Sequence, residues 1–331
     1  MIDLTGEQAR HARCLAAARY AVLAIGCINA HMDTNIEQVI PARRRDLGGF
    51  EVGRVLPAGR RRMVGPFIFF DHIGPAALDA PLPRAMDVRP HPHIGLSTVT
   101  YLFEGEMTHR DSLGCEQVIR PAEVNWMTSG RGISHSERFD GMRERGGRLH
   151  GIQAWVALPA DFEETDAAFE HYGREELPML GDAGWQARLI AGELLGARSG
   201  VQTHSPLLYA HIELAAGARF VVPDTATERA LFVARGSIEA GGQRCPAAQM
   251  LVLAPGATPE VDAREPATLM LLGGEPVGPR YIWWNFVSSR RERIEQAKAD
   301  WQAGRIALPV GDADEWIAAP DDPMPEQPPL S

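Results

Sequence analysis

From residue 36 onward, apolar positions come in short runs separated by Gly, Pro, Asp and Ser. Examples are "TVTYLFE", "EQVIRP", "VNWMTS", "RFVVP", "RALFVA", "MLVLAPG" and "TLMLLGG". Runs of this length and spacing predict antiparallel strands arranged as sandwiches or barrels, without alternating β and α units. One segment has a different period. In "SSRRERIEQAKADWQAG" the apolar residues Ile294, Ala297 and Trp301 recur every three to four positions, which predicts a helix with one buried stripe. Ser289 with Glu292 three residues on has the form of a capping box, and Gly304 supplies a stop.

The strand rhythm repeats. "TVTYLFEGEMTHRDSLGCEQVIRPAEVNWMTSGRG" and "RALFVARGSIEAGGQRCPAAQMLVLAPGATPE" each give strand, tight turn, strand, a Pro-Ala segment, strand and Gly turn. Such a repeat predicts two similar β-domains in tandem. The link is expected in "ALPADFEETDAAFEHYGREELP", residues 157–178, which is acidic, proline-flanked and short of a strand pattern. The expected division is an extension over 1–31, a first domain over 32–160, a second over 161–287, and a helix with its tail over 288–331. Residues 14–28 are apolar but too short to span a bilayer, and Arg19 interrupts them. They read either as a poor signal peptide ending near Cys27 or as an artefact of start-site choice between Met1 and Met32, the second being preferred. No membrane association is expected.

Composition narrows the function. The 331 residues carry a net charge of −10, which disfavours direct nucleic-acid binding. Cys14, Cys27, Cys115 and Cys245 form no Cys-x-x-Cys pair, and this fits a reducing cytoplasm.

Chemistry concentrates in "HPHIGLSTVTYLFEGE" and "SGRGISHSERF". Side chains alternate along a strand, so His91 and His93 share a face, as do His135 and Glu137 on the second strand, with Ser134 and Ser136 turned away. Three imidazoles and a carboxylate around one point suit a divalent transition metal: iron, with nickel, manganese, copper or zinc as alternatives. A lone His-x-His is more often a hydrogen-bonded core or surface pair; the second motif in the same domain tips the balance. Residues 215–262 contain no histidine, so the second domain is expected to lack such a site.

Together, "GPFIFFDHIGPA", "HPH", "TVTYLFEGEMTHRDSLG", "WMTSGRGISHSE" and "LHGIQAWVALP" resemble the pirin family of the cupin superfamily, over residues 36–310. The resemblance implies an all-β bicupin, two tandem antiparallel β-barrel (jelly-roll) domains with a C-terminal helix. It implies one metal, foremost Fe(II), in the N-terminal barrel on His91, His93, His135 and Glu137. It also implies quercetin 2,3-dioxygenase-like activity on a phenolic substrate with O₂, Glu137 doubling as catalytic base. The alternative is a non-catalytic metal or redox sensor acting through a protein partner. The family usually reads "HPHRGFETVTYLLEG"; here Ile94 and Ser97 replace an Arg and a Glu. That change makes Ile94 and Ser97, with Gln153, candidate cavity residues, Ser97 facing the metal by parity and Ile94 turned away unless Gly95 breaks the alternation. Asp71 and His72 are expected to tie down a loop, His109 to lie outside the ligand set, Trp126 and Met127 to be core, and "IWWNF" at 282–286 to be packing. The arginine runs at 43–45 and 60–62 are expected to be solvated.

Overall fold

The computed structural model describes residues 35–46 and 50–323; the expected extension and the choice between Met1 and Met32 lie outside the described residues. Four sheets build two barrels. In the first, a seven-stranded sheet faces a four-stranded one made of Val88–His93, Ile133–Arg138, Met107–Asp111 and Glu116–Ile119. In the second, an eight-stranded sheet faces the four short strands Arg219–Val221, Glu260–Asp262, Ser237–Ala240 and Gln243–Pro246. This is the bicupin architecture, with the helix Arg291–Gln302 near the C-terminus. No helix among the described residues is long and apolar enough to cross a membrane.

The internal repeat is visible at atomic level. Gly105 and Gly236 both turn the chain at positive φ, and Ala122 and Ala248, the ends of the two Pro-Ala segments, sit at φ 68° and 65°. Each alanine donates its N–H to the first strand of its own repeat, Ala122 to the Leu102 carbonyl and Ala248 to that of Val233. Left-handed backbone is unfavourable for alanine, so its recurrence at matching places reflects one shared turn.

The large sheets of the two barrels pack against each other through a common core that includes Phe67, Phe70, Trp126, Tyr209, Phe232 and Met270. Phe70 meets Phe232 edge-on at 5.1 Å. Trp126 and Met127 are buried, as expected.

Four expectations need correction. The strand Ile36–Pro41, expected in the first domain, pairs with Gln249–Leu253 in the second barrel's sheet, where Ile36 and Ile40 are buried. Conversely, Phe286 bridges to Ile94 and Val287 donates its N–H to the Ile94 carbonyl, so residues from 281 on cover the first barrel. Within the expected link, Ala168–Tyr172 is a strand that extends the first large sheet beside Val124–Thr128. These pairings are non-local and leave no local pattern. Finally, Ser289 caps nothing. The N-cap position is Arg290, with no side-chain cap hydrogen bond, because Ser289 gives its N–H and hydroxyl to the buried Glu163 carboxylate. Glu163 also holds Arg280 at 2.9 Å. The apolar stripe Ile294, Ala297 and Trp301 is buried as predicted, and Gly304 follows the helix end at φ 68°.

That stripe explains Ile94. It is 1% exposed and packs with Trp283, Phe286, Ile294 and Trp301. Ser97 is equally buried, its hydroxyl 3.0 Å from that of Thr128. The parity argument fails for Ser97 because Gly95, at φ 67°, turns the chain from the four-stranded sheet into the seven-stranded one. A Cβ at Gly95 would lie 2.0 Å from the Val287 carbonyl oxygen, so only glycine makes this turn. Ile94 and Ser97 therefore share no partner, and an Arg and a Glu at these two positions would not meet. Ile94→Arg is expected to destabilise by about 3 kcal/mol or more through an unpaired buried charge. Adding Ser97→Glu should not rescue it, and urea midpoints of the single and double variants check this. Recovery of stability in the double variant would contradict the packing described.

His72 and Asp71, expected to tie down a loop together, take different partners. Neighbouring residues on the strand Phe67–Leu78 face opposite ways, and His72 Nε2 meets His150 Nε2 at 2.8 Å beside Phe232. Burial pushes His72 down to about 4 and His150 to about 3. An unfolded histidine titrates near 6.5, so below that pH the unfolded chain binds more protons and stability falls. Acidification from pH 7.5 to 5 should cost on the order of 2 kcal/mol for each histidine. The measured pH slope of unfolding should shrink in His72→Leu/His150→Leu; an unchanged slope would contradict the assignment.

Candidate metal centre

Val88–His93 and Ile133–Arg138 are adjacent antiparallel strands, and on their ladder His135 lies opposite His91. Two residues further on, Glu137 faces Val88, three residues back from His91. The extra residue is accommodated as a bulge around Arg89 and Pro90, where proline has no N–H to offer a ladder. Alternation does the rest. His91, His93, His135 and Glu137 all line one cavity, while the Ser134 hydroxyl donates to the Ala307 carbonyl and the Ser136 hydroxyl to Asp312 on the opposite side.

The three imidazoles form a buried group whose donor atoms lie within 4.8 Å of one another. Their outer nitrogens are pinned. His91 Nδ1 is 2.8 Å from the Arg89 carbonyl, and His93 Nδ1 is 3.1 Å from the Asn285 carbonyl. A carbonyl only accepts, so both Nδ1 atoms carry the proton and both Nε2 atoms keep a lone pair. His135 is set by a longer chain. Its Nδ1 is 3.3 Å from His109 Nδ1, and His109 Nε2 is 3.0 Å from Asp111 Oδ2. The Asp111 carboxylate accepts from the His109 Nε2–H, so His109 Nδ1 accepts from His135, leaving His135 Nε2 bare as well. Asp111 is fixed in turn by the N–H groups of Leu113 and Cys115 on its other oxygen.

The result is two lone pairs face to face: His93 Nε2 and His135 Nε2 are 3.1 Å apart. Two acceptors at that distance repel unless a cation lies between them. Nitrogens each about 2.1 Å from one ion, at right angles, sit about 3 Å apart, so the donor set fits a divalent transition metal. Burial holds His91 down to about 4 and His93 and His135 well below their usual range, which keeps all three in the neutral, ligating form. Glu137 stands beside them, its Oε1 3.9 Å from His135 Nδ1, but its carboxylate is outside the tight three-histidine group. Burial pushes its carboxyl up to about 7.

The cavity has a volume of about 640 Å³. Gln153 lines it, its Oε1 accepting from the Thr100 hydroxyl. Ile94 and Ser97 do not line it, for the reasons given above. Several residues expected elsewhere do. Asp71 faces the cavity and binds Arg54 through both oxygens at 2.9 and 2.8 Å, so it does not tie down a loop. Ile282, Trp284 and Asn285, expected as packing only, form a wall, and Arg43, Arg45 and Arg62, expected as solvated runs, line it as well. His109 is buried and acts on His135. Only the last was within reach of the sequence, since His109 and Asp111 share a strand face by their spacing. The others come from distant segments. Among the described residues the second barrel holds no comparable group.

Family models match the two halves: Pirin over residues 49–156 and the Pirin C-terminal cupin domain over 209–307. The chain belongs to the pirin family. A pirin-like protein of Caulobacter vibrioides is 60% identical over 86% of this chain and 100% of its own length. Pirin from Rattus norvegicus is 30% identical, over 78% of this chain and 85% of its own. The crystal structure of a quercetin 2,3-dioxygenase from Acinetobacter baumannii superimposes with a TM-score of 0.81 at 33% identity, covering 88% of this chain and 97% of that one. His91, His93 and His135 all fall within the segment that the Pirin model matches.

Purified protein should carry about one transition metal per chain, and His91→Ala/His93→Ala should remove it. Asp111→Asn should weaken affinity by roughly 10- to 100-fold, since it releases the His135 tautomer. Elemental analysis and competition with a chelator read both. Full occupancy in the double variant would show that the metal lies elsewhere.

Proposed function

We propose that this pirin-family chain is a cytoplasmic, metal-dependent dioxygenase that opens a ring of a flavonol-like or related polyphenol or enediol substrate with O₂. The metal favoured is Fe(II), with nickel, manganese, copper or zinc as alternatives. One observation carries this reading: the three bare Nε2 atoms and Glu137 open into a cavity of about 640 Å³ walled by Phe69, Trp155 and Trp284, roomy enough for a polycyclic phenol. The quercetin 2,3-dioxygenase of similar structure supports it.

His91, His93 and His135 would hold the metal, and Glu137, which lines the same cavity, is the candidate fourth ligand. The metal, when bound, supplies a Lewis acid that lowers the pKa of a substrate hydroxyl. The Glu137 carboxylate is the base for that proton, taking it on a carboxylate oxygen; its raised pKa suits proton transfer near neutrality. Gln153, with Oε1 engaged by Thr100, has its NH₂ group to donate to a substrate oxygen. The apolar walls keep water from the activated substrate.

Metal-loaded protein should consume O₂ with quercetin. Glu137→Gln should retain metal on the three imidazoles while kcat falls on the order of a hundredfold or more. Metal retention with no turnover by the unaltered protein over a range of polyphenols would contradict the enzyme and favour a sensor that works through a protein partner.

A further inference from the structure

The cavity that holds the histidines has a cationic mouth. Arg43, Arg45, Arg54 and Arg62 line it, against two carboxylates, Asp71 and Glu137. Asp71 is already engaged by Arg54. Arg43 and Arg45 are exposed whereas the histidines are buried, so the guanidinium groups sit at the solvent end and the imidazoles at the floor. This is not a by-product of composition, because the chain as a whole carries a charge of −10.

The local pairing would not be chosen for stability. Arg43–Asp46 is the edge strand of the seven-stranded sheet, and Arg43 stands directly across from Arg54 on its neighbour. Like charges opposite one another on a ladder are destabilising. Alternation sends Arg43 and Arg45 towards the cavity and Arg44 away, where it meets Glu51 at 3.6 Å. Arg43 is further oriented by donating to the carbonyls of Val55 and Pro57. Burial foremost, and then the charges of Arg45, Arg54 and Arg62 against that of Asp71, lower its pKa. An anion at the mouth would relieve that repulsion.

The mouth is rigidly joined to the floor. The Arg54 guanidinium lies 4.4 Å from the centre of the Phe69 ring. Phe69 stacks on Trp155 at 4.0 Å and 14°, and Trp155 meets His93 edge-on at 5.2 Å. A ligand that reaches from the histidines to the arginines would run along this aromatic wall.

We infer that the cavity selects an anionic substrate: a planar phenol or enediol whose metal-binding oxygens lie at the histidine end and whose carboxylate, sulfate or phosphate group lies among Arg43, Arg45, Arg54 and Arg62. This rests on the preceding reading that the cavity is the substrate site, and it narrows the substrate class beyond neutral flavonols. Guanidinium groups bind such anions through paired, charge-assisted hydrogen bonds.

The test is calorimetric titration of the metal-loaded full chain with protocatechuate and with its neutral methyl ester, which differ in the carboxylate alone. Protocatechuate should bind about tenfold more tightly at low salt, the preference shrinking as ionic strength rises to about 0.5 M. In Arg43→Gln/Arg45→Gln the preference should fall to about twofold or less, with ester affinity and metal content unchanged. The salt series on the unaltered protein stands even if that variant folds poorly. Equal affinity for the two probes, binding of neither, or a preference untouched by salt and by the double substitution would overturn the inference. Quercetin turnover with no charge preference would remove this inference and leave the dioxygenase reading standing. Charge-selective binding with no O₂ uptake on any phenol would do the reverse.

Discussion

Everything at the centre depends on one ladder, the pairing of Val88–His93 with Ile133–Arg138. Strand alternation alone would put His91 and His93 from one strand near His135 from the other. What makes the group chemically definite is that each outer nitrogen has a fixed partner: the carbonyls of Arg89 and Asn285 for His91 and His93, and the His109–Asp111 pair for His135. These partners decide which nitrogen keeps a lone pair, and so turn three buried imidazoles into one donor set. Two of the partners are backbone oxygens, which cannot rotate away or change charge.

The surroundings of that ladder come from far along the chain. Asn285 lies in the two-stranded turn before the C-terminal helix, and the same segment walls the cavity with Ile282 and Trp284. Beyond the helix, the tail runs back over the outer face of the metal strands, with Asp312 bound to Ser136 and Arg138 and Ile317 donating to the Pro90 carbonyl. The N-terminal strand Ile36–Pro41 makes the opposite crossing into the second barrel. The second barrel therefore contributes to the site without donors of its own: it anchors one end of the chain, shares a core with the first barrel, and leads into the segment that holds His93.

Local patterns carried much of this. Strand alternation was enough to place His91, His93, His135 and Glu137 on one cavity and to send Ser134 and Ser136 away from it. The internal repeat was legible because both copies use the same Gly and Ala turns. What stayed hidden was non-local. Ser97 could not be placed by counting from His93, since Gly95 moves the chain from one sheet to another. Ser289 looks like a cap in isolation but answers a carboxylate 126 residues away. The arginines at 43 and 45 are exposed, as expected, but only the folded edge strand shows that they also line the cavity. In each case a distant segment overrode or added to a correct local rule.

The central claim is that one metal ion is held by the Nε2 atoms of His91, His93 and His135. Anomalous X-ray diffraction from crystals of the metal-loaded protein tests it most directly. The account predicts a single strong anomalous peak per chain in the first barrel, within bonding distance of all three Nε2 atoms, with each Nδ1 still on its present partner. A peak elsewhere in the molecule, or one bonded through Nδ1 of any of the three, would contradict it.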